Sequence, residues 1–121
     1  MMMATEQPQE NELEKLLKDY QVLQEQLRSM AMQVEQLQAQ SLDMGRAKEE
    51  LDKASGKVYI SVGGVIVETT KEKAVSDIKD RSSLTETRLQ SANKMYADLR
   101  SKEKQLNEKI TRLYKQAQGM A

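Results

Sequence analysis

The chain has 121 residues, 38% of them hydrophobic and 31% charged, with no Trp, Phe, Cys or His and only four Tyr and one Pro. This is the composition of helical rods, and the missing Cys and His remove disulfides, thiolate sites, the commonest metal ligand and the commonest general base near neutral pH. Lys+Arg and Asp+Glu both number 19, so the chain lacks the positive field that neutralising many phosphates requires, and nucleic acid is not an expected partner.

The start, Met1-Met2-Met3-Ala4, has no basic n-region and no long apolar run. Nothing later approaches the roughly 20 apolar residues that span a bilayer, so no membrane is expected and the expected location is cytoplasmic. The absence of Cys fits a reducing compartment. Residues 1–8 have no periodicity and are expected to be a flexible end.

A first helix is predicted over residues 9–54. Leu13, Leu16, Tyr20, Leu23, Leu27, Met30, Val34 and Leu37 recur at alternating steps of three and four, and the phase continues through Met44 to Leu51, which is a heptad seam. Ser41 and Lys48 fall on that phase and interrupt it, and Gly45 weakens the same stretch. Ser55-Gly56 punctuates the exit from this helix.

The period then changes to two. Lys57-Val58-Tyr59-Ile60-Ser61-Val62 and Val65-Ile66-Val67-Glu68-Thr69-Thr70 flank Gly63-Gly64, and two β-branched runs around a Gly pair predict a β-hairpin over 57–70 with a two-residue turn, because glycine tolerates the positive φ of primed turns. Thr69 or Thr70 supplies an N-cap for a second helix, with Thr69 and Glu72 at capping-box spacing.

That second helix is predicted over 71–117. Its stripe begins at Val75 and Ile78, passes through Ser82 and Thr85, and becomes continuous at Leu89, Ala92, Tyr96, Leu99, Leu106, Ile110, Leu113 and Ala117, with Glu103 as its one charged member. Each stripe covers about 40 residues, or on the order of 60 Å at the α-helical rise. Residues 118–121 are expected to be a second flexible end. The predicted fold is therefore mostly α, a long antiparallel two-helix coiled coil with one β-hairpin between the helices, forming a single domain over 1–121. The charges agree: residues 6–19 hold five acids against two bases, and residues 100–115 hold six bases against two acids, so folding back sets opposite fields side by side.

A two-stranded hairpin is marginal alone in water. Here Val58, Ile60, Val62, Val65 and Val67, with Tyr59 and Ile66, leave little that suits solvent, and both strands are edges open to pairing. A sheet or barrel built from several subunits would cover them. The alternative, that the hairpin only caps the helix ends within one chain, fits poorly with the charged Lys48, Glu49, Glu50, Asp52 and Lys53 nearby.

The block Val58-Tyr59-Ile60-Ser61-Val62-Gly63-Gly64-Val65-Ile66-Val67-Glu68-Thr69-Thr70-Lys71-Glu72-Lys73-Ala74, set between two heptad helices, resembles the β class of prefoldin. That class carries a Val-Tyr, Val-Gly, Val-x-x-Thr-Lys-Glu-x-Ala pattern and one hairpin where the α class has two. Lys104-Gln105-Leu106-Asn107-Glu108-Lys109 adds to the likeness. The run from Val62 to Glu68 is also similar to eukaryotic prefoldin subunit 2, itself β-class, so an archaeal and a eukaryotic kinship both stay open.

The resemblance implies a hexamer of two α-class and four β-class subunits, whose hairpins join into an intersubunit β-barrel. Val58, Tyr59, Ile60, Val62, Gly63, Gly64, Val65, Ile66 and Val67 would carry that assembly. It also implies an ATP-independent molecular chaperone, a holdase that binds unfolded proteins at the coiled-coil tips and delivers them to a group II chaperonin, with no cofactor. Leu13, Leu16, Leu17, Ile110, Leu113, Tyr114 and Met120 are then the candidate client contacts at the tips. Leu17 and Tyr114 lie beside the seam and widen the apolar stripe, and Met suits adaptable contacts. The plainer reading of Leu13, Leu16, Ile110 and Leu113 is ordinary coiled-coil core.

Two other functions are weighed against holding. One is a non-chaperone coiled-coil scaffold or tethering subunit of a hetero-oligomer. The other is an enzyme, which is not expected: two rods offer no obvious concave pocket, and Gly63-Gly64 lacks the Gly-Lys-Ser/Thr of a phosphate loop.

Overall fold

The computed structural model describes residues 8–119. Its order is α1 (Pro8–Lys53), β1 (Val58–Val62), β2 (Val65–Thr69) and α2 (Lys71–Ala117). The fold is thus two long helices, of 46 and 47 residues, with an antiparallel hairpin between them. α1 begins at Pro8, where a missing N–H costs nothing at a helix start, and ends at Lys53; Ala54 N–H turns back to the Leu51 carbonyl at 3.1 Å. The flexible ends expected over 1–8 and 118–121 fall mostly outside the described residues.

The chain forms two compact units, one of residues Gln33–Asn93 and one made of its two ends, up to Met32 and from Lys94. In the unit of the chain ends, Leu16, Leu23 and Leu27 are buried, and Leu99, Leu106, Ile110 and Leu113 are half-buried. The pairing is antiparallel: Glu12 meets Lys109 at 3.9 Å, and Gln24 Nε2 donates to the Glu103 carboxylate. Glu103 also takes Arg100 Nε at 3.3 Å, so the one charged residue of the α2 stripe is satisfied where it sits. Ala117, expected on the stripe, is exposed at the last position of α2.

In the unit of residues 33–93 the buried set is Val58, Ala74, Thr85 and Ala92. The helices again pair antiparallel, with Thr85 bonded to Met44 and Lys71 reaching the carbonyls of Asp52 and Ala54. Two positions depart from the expected heptad phase. Lys48 is exposed and Ala47 turns inward in its place, since a three-step from Met44 keeps the ammonium in water. Ser82 is exposed, while Ala74, off the expected stripe, is the most buried residue at 1%.

The strands pair in the register Val58↔Thr69, Tyr59↔Glu68, Ile60↔Val67, Ser61↔Ile66 and Val62↔Val65. Gly63 and Gly64 have φ of 55° and 83°, positive at both central positions as a type I′ turn requires. Thr70 is the N-cap of α2, its Oγ1 accepting from Lys73 N–H at 3.2 Å. The expected Thr69–Glu72 capping box is not used, because Thr69 is the last residue of β2.

Candidate functional site

Residues directly opposite in an antiparallel pair share a face. The register therefore puts Val58, Ile60, Val62, Val65, Val67 and Thr69 on one face of the hairpin and Tyr59, Ser61, Ile66 and Glu68 on the other. Along the apolar face, burial falls toward the turn: Val58 is buried, Ile60 half-buried, and Val62, Val65 and Val67 are exposed. Ile66, at 74% exposure, projects from the opposite face near the turn. All nine residues expected to carry assembly lie in this one element. Neither face is closed, and the ion pair of Lys57 with Glu68 at 3.9 Å is exposed and contributes little.

The candidate client contacts separate into two kinds. Leu16 is buried in the seam and Leu13, Ile110 and Leu113 are half-buried, so these four pack as coiled-coil core. Leu17 and Tyr114 stand outside it, 47% and 51% exposed. Met120 lies outside the described residues.

The unit of the chain ends also carries an open groove that the seam positions did not reveal. It is floored by Leu16, Leu23 and Leu106, walled by Val22, and rimmed by Asp19, Gln26, Lys102, Gln105 and Lys109. Farther from the chain ends, Gln26, Ser29 and Lys102 with Met30, Met95, Asp98 and Leu99 line a second stretch. Val22 and Met95 are half or more exposed. Each stands immediately before a seam residue, Leu23 and Tyr96, which is the same off-seam signal that singled out Leu17 and Tyr114. An apolar floor with a rim of mixed charge suits apolar polypeptide of varied sequence, with no fixed polar pattern to read.

Arg100 Nη1 donates to the Tyr96 hydroxyl at 3.4 Å, and this bond, then the charges of Tyr96 and Glu103, push Arg100 above its usual value. Among the described residues no group of three or more acidic, His or Cys side chains gathers as a metal site. No described helix is long and apolar enough to cross a membrane.

With this geometry, residues 14–119 match the family model for prefoldin subunits. The chain is similar to prefoldin subunit beta of Methanosarcina acetivorans, 37% identical over 92 residues, covering 74% of this chain and 79% of that protein. It is similar over more of its length to prefoldin subunit beta of Caldivirga maquilingensis, 31% identical over 121 residues and 97% of each chain. The crystal structure of the prefoldin beta subunit from Thermococcus strain KS-1 superposes with a TM-score of 0.75 at 29% identity, covering 89% of this chain and 94% of that one. Two long helices around one hairpin, the family match across nearly the whole chain and relatives of one class agree: the chain belongs to the prefoldin family of chaperone subunits, in its β class.

Proposed function

We propose that the chain acts in the cytoplasm as the β-class subunit of an ATP-independent holdase. Its hairpin joins α-class and other β-class subunits, two α and four β, into a barrel platform. The ends of its coiled coil hold unfolded proteins and pass them to a group II chaperonin.

The observation that carries this reading is the hairpin, whose exposed Val62, Val65, Ile66 and Val67 have nothing within the described chain to cover them. Fully burying an aliphatic side chain of this size contributes about 1.5–3 kcal/mol, so joining strands across subunits supplies a driving force that one chain cannot. Leu17, Tyr114 and the groove beside Val22 support the holding role. Each offers a small apolar contact, and several subunits presenting such contacts to one client gain from effective concentration what each lacks in affinity. Holding needs no nucleophile, metal or nucleotide, in keeping with a family of chaperone subunits.

The test mixes the assembly of this chain and an α-class partner with a chemically denatured model protein and follows light scattering without ATP. Suppressed aggregation is expected. Unchanged scattering at excess assembly would reject holding and leave a scaffold or tether.

A further inference from the structure

The turn fixes which backbone groups face outward. A two-residue loop is closed by the hydrogen-bonded pair Val62 and Val65, and bonded and non-bonded pairs alternate along an antiparallel ladder. With the observed register, Ile60/Val67 and Val58/Thr69 are then the other bonded pairs. The N–H and C=O of Tyr59 and Ser61 consequently point out of the free edge of β1. One of these groups is already engaged: the Ser61 carbonyl accepts from Arg81 Nη2 at 3.4 Å. Arg81 is held in turn by Asp77, one helical turn earlier on α2, with Nε to Oδ2 at 3.0 Å.

We infer that Arg81 guards the β1 edge, its guanidinium lying over the Ser61 carbonyl until a strand from the hairpin of another prefoldin-type subunit displaces it. This rests on the hairpin's proposed role in assembly. A charged side chain over an open edge is a known means of preventing indiscriminate strand pairing, and an incoming strand needs the space and the acceptor that Arg81 occupies. The guard is easily displaced. Its bond to Ser61 is long and its side chain is 47% exposed. The same weakness makes the contact a minor contributor to the fold, so its effect on assembly is separable from stability.

The experiment measures self-association of the full chain by sedimentation velocity over a concentration series, for wild type, Arg81→Met, Asp77→Asn and Ile66→Lys, with helix content followed by circular dichroism. Arg81→Met is expected to tighten self-association about three- to fivefold, the scale of one lost competing hydrogen bond, with helix content unchanged. Asp77→Asn, which releases Arg81 from its anchor, moves the same way by less. Unchanged or weaker association in Arg81→Met at unchanged helix content overturns the guard, as does a chain that stays monomeric with either residue at 81; weaker association would make Arg81 a strut that poses the hairpin. Ile66→Lys tests the underlying reading separately. It should weaken association, and if it does not, the hairpin is not the assembly element.

Discussion

Lys71, the first residue of α2, caps the end of α1: its Nζ donates to the Asp52 carbonyl at 3.0 Å and the Ala54 carbonyl at 3.3 Å. The last carbonyls of a helix have no partner of their own and carry the negative end of its dipole. At the start of α2 the same ammonium faces the wrong end of its own helix dipole, and Glu72 beside it offsets that. Its favourable contribution therefore comes across the hairpin, from α1. Lys71→Met should lower stability by about 0.5–1 kcal/mol, since the contact is solvent-exposed. Urea unfolding followed by circular dichroism at fixed chain concentration checks this, and an unchanged midpoint would mean that water satisfies those carbonyls equally well.

Thr85 is 4% exposed, and its hydroxyl donates to Met44 Sδ at 3.6 Å. A thioether is a weak acceptor, so the bond returns little for the desolvation of the hydroxyl. Valine has nearly the same shape and helix propensity, and the sulfur it leaves behind loses little. Thr85→Val is expected to raise stability by about 0.5–1 kcal/mol, read from the same urea transition. A loss of about 1 kcal/mol or more would show that the hydroxyl matters beyond packing.

Gly45 lies within α1, and a Cβ placed there meets nothing within 4 Å. Its φ is not among the positive ones, so alanine fits the same backbone. Gly45→Ala should stabilise the chain by about 0.5–1 kcal/mol through reduced freedom of the unfolded state. Thermal unfolding measures the gain, and sedimentation of the variant with an α-class partner supplies the second readout. Loss of assembly despite a more stable chain would reveal that a neighbouring subunit approaches at residue 45.

Much of this was legible in the sequence because it depends on neighbours a few residues apart. The Gly63-Gly64 pair between β-branched runs gave the hairpin and its turn class, and the Leu13 to Leu37 phase marked the inward side of α1 because nearly every step carries a large apolar side chain. Around Lys48 and Ser82 the phase is marked by small or polar residues, and burial goes instead to Ala47 and Ala74. Alanine's small apolar surface makes its burial hard to infer from periodicity. Thr69 and Thr70 were equivalent as caps until the length of β2 decided between them. The tie from Arg81 to Ser61 spans 20 residues and joins a side chain to a backbone carbonyl, a pairing with no residue pattern to betray it. At the chain ends the off-seam positions of Leu17 and Tyr114 were readable, and the same rule applied to Val22 and Met95 would have found the groove.

The two turn glycines should respond differently to substitution. Gly63, at φ 55°, sits in the left-handed helical region that asparagine tolerates, whereas Gly64 lies at φ 83°, beyond the centre of that region. Neither has an atom within 4 Å of an added Cβ, so any cost is conformational. Gly63→Asn should leave the hairpin intact, as Asn-Gly is a favoured type I′ pair. Gly64→Ala should cost about 1–2 kcal/mol of hairpin stability, enough to fray the Val62/Val65 end where the exposed apolar residues sit. Amide hydrogen exchange of Val65 and Val67 separates the variants: protection retained in Gly63→Asn and lost in Gly64→Ala is the expected pattern. Sedimentation with an α-class partner then shows whether assembly depends on the turn. Full assembly of a Gly64→Ala chain whose hairpin amides exchange freely would mean that partner strands impose the hairpin on binding, and that the turn need not be formed beforehand.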